Sequence, residues 1–112
     1  MTTLSLIVIY CEDIHLCKQF YEMFGLSFTE EKHGVGPIHF SSKLNGVLLE
    51  LYPAGNKEKS KVRLGFKVKS LNELKTNLLQ KFPKTKIKSI GINNIKKLII
   101  TDLDGRKIEA VE

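Results

Sequence analysis

Two glutamates occupy matching places in a repeated pattern. Glu50 lies in "VLLELY" and Glu109 in "RKIEAVE", and these runs close two segments of similar design, Leu4 to Tyr52 and Val62 to Val111. A repeat of this length is the strongest architectural signal in the chain. Aligning the two copies sets Leu6 opposite Arg63 and Glu50 opposite Glu109. If the copies pair about a pseudo-two-fold axis, two carboxylates and a guanidinium converge on one place. Carboxylates there are candidate ligands for a divalent cation, and a guanidinium can clamp carboxylates through bidentate, charge-assisted hydrogen bonds.

Strand alternation decides which side chains share a face. With Leu49 and Leu51 packed beneath a helix, Leu48, Glu50 and Tyr52 turn to the other side. The same rule sends Leu64, Phe66 and Val68 inward and Arg63, Gly65 and Lys67 to the open side, and it buries Ile108 and Ala110 while exposing Glu109. Tyr10, Tyr52 and Phe40 are candidates for an aromatic wall, although aromatics at inward strand positions more often fill a core. Of the three histidines, His15 belongs to the solvated side of the first helical turn. His33 lies in the glycine-rich connection "KHGVGP", a candidate lip over the open face. His39 either faces the site beside Glu50, as an acid-base partner or weak metal ligand, or is an ordinary strand residue; the spacing does not fix its parity.

The elements that must position these groups read as β-α-β-β-β, twice. Residues 4–10 form an apolar run expected as a strand buried on both faces. Asp13 caps a helix over 14–24, whose apolar stripe is Ile14, Cys17, Phe20, Tyr21 and Phe24, with Gly25 at its end. Strands follow at 26–31, 38–42 and 47–52, separated by turn formers. The linker-like "PAGNKEKSK" separates module 1, residues 1–54, from module 2, residues 60–112. In the second copy Ser70 and Glu73 make a capping box, Leu71, Leu74 and Leu78 recur at helical spacing, and Pro83 stops the helix. Strands are expected at 87–89, 97–101 and 107–111, with "DLDGR" as the last turn rather than a calcium loop. The fold class is α+β: one domain of two tandem βαβββ modules forming a curved mixed sheet, with helices on one side and a concave cleft on the other.

The chain has 112 residues and a net charge of +6, a size suited to one modest core. The charge is uneven. Residues 1–56 carry three bases and six acids, so the excess of bases lies in the second half, which would attract anionic ligands or present a solvated lysine-rich surface. Nucleic acid is an unfavoured partner, because no helix clusters basic residues and no aromatics are interleaved for base stacking. No apolar run reaches the roughly 18–20 residues of a membrane helix and no export signal opens the chain, so a cytoplasmic address without membrane attachment is expected. Cys11 and Cys17 are too few for a disulfide framework and are expected as reduced thiols.

The opening "VIYCEDIHLCKQFYEMFGL", then "LLELY", "LGFKV" and the ending "DLDGRKIEAVE", resemble in order and spacing the vicinal oxygen chelate superfamily. That superfamily includes glyoxalase I, bleomycin-resistance proteins, extradiol dioxygenases and fosfomycin-resistance enzymes. The ending is similar to the family's Asp-Pro-Asp-Gly-Asn-x-x-Glu signature, with Leu103 where proline is usual. The resemblance covers nearly the whole chain and implies a homodimer. It also implies metal-ligand positions at Leu6, Glu50, Arg63 and Glu109. Leucine donates nothing and arginine has no acceptor, so only the two glutamates fit.

Two readings follow. The first is a metal-free binder of a small organic molecule, with no cofactor, in which Arg63 meets anionic groups and Glu50 and Glu109 meet polar or cationic ones. Here Arg63 bridges Glu50 and Glu109 in place of the metal's charge, Lys67 helps hold anionic groups, and Leu6, Tyr10, Tyr52 and His39 line the site. The alternative is a lyase, isomerase or dioxygenase that keeps Zn, Ni, Mn or Fe through Glu50, Glu109 and His39.

Overall fold

The computed structural model describes residues 1–93 and 95–112. The elements are β1 (Leu6–Cys11), α1 (Ile14–Glu22), β2 (Thr29–Glu31), β3 (His39–Leu44), β4 (Val47–Pro53), β5 (Leu64–Lys67), α2 (Leu71–Lys81), β6 (Ile87–Ile92), β7 (Ile95–Thr101) and β8 (Lys107–Val111). They fall into two units, residues 1–22 with 26–60, and residues 23–25 with 61–112. Each unit has a four-stranded mixed sheet, ordered β1-β4-β3-β2 in the first and β5-β8-β7-β6 in the second. The strand order is the same in both, which is the βαβββ repeat in three dimensions.

In the first unit, β1 runs parallel to β4, while β3 pairs antiparallel with both β4 and β2. A crossover is needed to bring β1 and β4 parallel, and α1 supplies part of it. Asp13 caps this helix by accepting the amides of His15 at 3.0 Å and Leu16 at 3.1 Å. Its buried stripe is Ile14, Cys17, Phe20 and Tyr21, and it packs on β4 and β3. The helix ends at Glu22 rather than at Phe24, and Gly25 takes a left-handed φ of +90°, which reverses the chain without a Cβ penalty.

The expectation that β1 is buried on both faces is incorrect. Ile9 and Cys11 are buried, but Leu6 is 48% exposed. β1 is an edge strand, and its register with β4 sets Ile9 beside Leu51 on the covered face. The two cysteines are buried and not joined in a disulfide, and the Cys11 thiol donates to Cys17 Sγ at 3.1 Å. The second strand is shorter than expected, 29–31 instead of 26–31, and the third runs over 39–44 instead of 38–42.

In the second unit, β5 is parallel to β8, and β7 pairs antiparallel with both β8 and β6. Ser70 caps α2 as expected: its Oγ accepts the Glu73 amide at 3.1 Å, a contact worth about 1 kcal/mol at such positions. The helix buries Leu71, Leu74 and Leu78 and ends at Phe82, whose amide donates to the Leu78 carbonyl at 2.7 Å. Among the described residues, Leu64, Leu98, Ile100, Ile108 and Ala110 are the buried apolar strand residues of this unit. Strands β6 and β7 are longer than the expected 87–89 and 97–101, because they pair with each other along their length. Among the described residues no helix is long and apolar enough to cross a membrane.

Candidate functional site

Register places the predicted residues of the first unit on one sheet face. Leu6 pairs with Leu48, Val8 with Glu50, Tyr10 with Tyr52, Ser41 with Glu50, and Glu31 with His39. Alternation then puts Leu6, Tyr10, Glu31, His39, Glu50 and Tyr52 together, opposite the face that α1 covers. Phe40 is not among them. It lies on the helix side, in edge contact with His15 at 5.3 Å and with the Lys18 ammonium 5.5 Å from its ring, so of the three expected wall aromatics Tyr10 and Tyr52 share this face, 6.2 Å apart.

His39 is the centre of this face. Its side chain is 1% exposed. The ring stacks on Tyr52 at 4.2 Å with a 9° interplanar angle, and His33 lies 5.1 Å away. Nδ1 is 3.3 Å from the Pro37 carbonyl oxygen, which can only accept, so Nδ1 carries the proton and Nε2 presents a lone pair when the ring is neutral. Around Nε2 are the Tyr52 hydroxyl at 3.4 Å, a Glu31 oxygen at 3.6 Å and a Glu50 oxygen at 3.8 Å. The structure thus brings His39 and Glu50 together. Burial, followed by the charges of Glu50 and Glu31 and the neighbouring Tyr10, raises the Tyr52 phenol above the usual tyrosine value. Tyr52 therefore remains a neutral donor on this face.

The second unit has a different arrangement. Glu109 accepts from Arg63 Nε at 2.9 Å and binds Lys97 Nζ at 2.7 Å. The Glu109 arm of the expected arginine bridge is therefore present, and Lys97 is a partner that sequence reasoning missed. Gly65 pairs with Glu109 and Lys67 with Val111, so Lys67 shares the Glu109 side of the sheet. It also lines a hollow of about 480 Å³ beside Ser70 and Glu73. Pairing of Ile99 with Glu109 and Lys88 with Ile99 adds Lys88 to that side, and Lys107 joins by alternation along β8.

Hydrogen bonds from Lys97 and then Arg63 hold the Glu109 carboxyl below its usual range. Because the folded-state value is depressed, this stabilisation is present above the unfolded carboxyl range and is lost as pH falls through the folded value. Glu109→Gln should therefore lessen the loss of stability on acidification below the ordinary glutamate range, as measured by urea unfolding. An unchanged pH profile would contradict the assignment.

No family model and no curated protein matches the chain by sequence. Solved structures match over its whole length. A superfamily member from Sphaerobacter thermophilus, described as glyoxalase/bleomycin resistance protein/dioxygenase, aligns with a TM-score of 0.75 at 12% identity, covering 100% of this chain and 98% of that one. An oxidase, ChaP-H2, aligns at 0.78 and 12% identity, covering 98% and 92%. A lactoylglutathione lyase from Agrobacterium tumefaciens aligns at 0.70 and 15%, covering 100% and 94%.

The chain has the vicinal oxygen chelate fold.

The resemblance implied metal-ligand positions at Leu6, Glu50, Arg63 and Glu109, residues that are divided between the two units. Leu6 has no donor atom, Arg63 is a fixed cation, and Glu109 is already neutralised by two cations. A different set of donors is brought together within the first unit. The ligand atoms of Glu31, His33 and His39 all lie within 4.8 Å of one another. Sequence reasoning had weighed His33 and His39 separately and passed over Glu31. The available signal was Glu-x-His followed six residues later by His, straddling a single strand connection.

Proposed function

We propose that this protein binds a small anionic organic molecule without a metal at the Glu50 and Glu109 positions, as a homodimer in the cytoplasm. The carrying observation is that Glu109 already holds Arg63 and Lys97 at 2.9 and 2.7 Å. A cation there would have to displace two others, whereas an anion meets the bases on the same sheet side, Lys67, Lys88 and Lys107. The first unit by itself presents Tyr10, Tyr52, Glu50 and His39 on one sheet face, aromatic area with a few polar groups, the mixture typical of small-molecule sites. The fold itself selects no reaction, since the similar structures include both a lyase and an oxidase.

The test is a thermal-shift screen of small organic acids on the full chain, followed by calorimetry. Ligand-induced stabilisation that survives chelation and falls at least about tenfold in affinity in Lys67→Ala combined with Lys88→Ala supports the reading. Stabilisation that requires a divalent ion and disappears in Glu109→Gln overturns it in favour of a metal-dependent lyase, isomerase or dioxygenase. Absence of any hit among organic acids also counts against it.

A further inference from the structure

We infer that the first unit binds one divalent transition-metal ion, zinc by its ligand chemistry, on Glu31, His33 and His39. These donors come from the end of β2, the connection after it and the start of β3, so the site is built within one short stretch of chain. It shares no residue with the Leu6, Glu50, Arg63 and Glu109 set, and it does not depend on the small-molecule reading.

Three observations carry the inference. First, the three ligand atoms lie mutually within 4.8 Å. Nε2 of His39 stands 3.6 Å from the Glu31 oxygen. That is too long for a good hydrogen bond, yet close to the roughly 3.4 Å separating nitrogen and oxygen donors on a tetrahedral zinc with ordinary bond lengths. Second, His39 is prepared as a ligand. Its Nδ1 proton is directed to the Pro37 carbonyl at 3.3 Å, which leaves the Nε2 lone pair facing the carboxylates; metal-binding histidines characteristically have such an outer partner. The ring is also held in place by its stack on Tyr52.

Third, the connection is shaped to bring His33 back over the strand. The Gly36 amide donates to the His33 carbonyl at 3.0 Å and Gly34 sits at φ +58°. A Cβ on Gly36 would come within 3.0 Å of that same carbonyl oxygen. The chemistry is consistent: two imidazoles and a carboxylate are a recurrent zinc set that leaves a fourth position open. Glu50 Oε2, 3.8 Å from Nε2, adds a second negative charge beside the three donors to offset that of the ion. Glu31 is 35% exposed and His33 is exposed, so an ion can reach the site from solvent.

The chelator-treated full chain is titrated with Zn²⁺ by calorimetry and with Co²⁺ by visible absorption. The expected result is saturable binding of one ion per chain, with Co²⁺ bands of a nitrogen and oxygen environment. His33→Ala and Glu31→Gln, both at accessible positions, should each weaken binding at least about tenfold, with the metal-free thermal midpoint unchanged. Glu109→Gln should bind like the parent. Four results would overturn the inference: no saturable binding, equal affinity in His33→Ala and Glu31→Gln, a Co²⁺-thiolate charge-transfer band assigning the ion to Cys11 and Cys17, or loss of binding in Glu109→Gln. Failure here leaves the organic-acid screen unaffected, because that screen is read on chelated protein through Lys67 and Lys88.

Discussion

Asp102→Ala is expected to destabilise the protein by about 3–5 kcal/mol, because it takes one carboxylate from a buried guanidinium and unties two turn amides. The turn after β7 is built on this carboxylate. One oxygen accepts the amides of Asp104 at 3.0 Å and Arg106 at 2.9 Å, and the other accepts Arg106 Nε at 2.7 Å. Arg106 Nη2 reaches Asp104 at 2.7 Å, and the three side chains are 1%, 1% and 5% exposed. Removing Asp102 leaves Arg106 with Asp104 as its remaining carboxylate in this cluster and also unties two turn amides. Arg106→Met should cost less, since Asp102 keeps both backbone donors and the methionine can fill the space. Urea unfolding of the two variants gives the order directly. A smaller loss in Asp102→Ala than in Arg106→Met would show that the backbone contacts contribute little. The turn matters for the site because it delivers β8, and with it Glu109, in register.

The second large effect is a contrast within one strand. Leu51→Ala should cost about 2–5 kcal/mol, because Leu51 is fully buried beneath α1 and truncation leaves a cavity. Leu48→Ala, at 38% exposure on the opposite face, should cost less than about 1 kcal/mol. The pair tests the parity of β4 on which the position of Glu50 depends, since a slip of one residue would exchange the two faces. Equal losses in denaturant unfolding would contradict the register and the placement of Glu50 beside His39.

Much of this was readable from local pattern. The alternation in "VLLELY" correctly turned Glu50 away from the helix, and "RKIEAVE" did the same for Glu109, because side-chain parity along a strand needs no knowledge of its neighbours. The Ser70 cap follows from spacing alone for the same reason. β1 was misjudged because a continuous apolar run does not say which faces are covered: the side of Ile9 and Cys11 is buried, and Leu6, on the other side, is exposed. Phe40 and His39 were undecidable because the connection "KHGVGP" hides the register in which β3 starts.

The repeat, the order of helices and strands in each copy, the capping signals and the side on which each glutamate stands were set by the sequence itself, through interactions that span only a few residues. Tertiary structure alone decided what those groups meet. It folded the 32–38 connection so that His33 and Glu31 approach His39, laid Tyr52 flat against that ring, gave Glu109 the ammonium of Lys97, and closed the Asp102–Arg106 ion pair away from water. Each of these depends on strand neighbours or on a turn whose glycines permit a conformation without specifying it, so pattern alone carries no record of them.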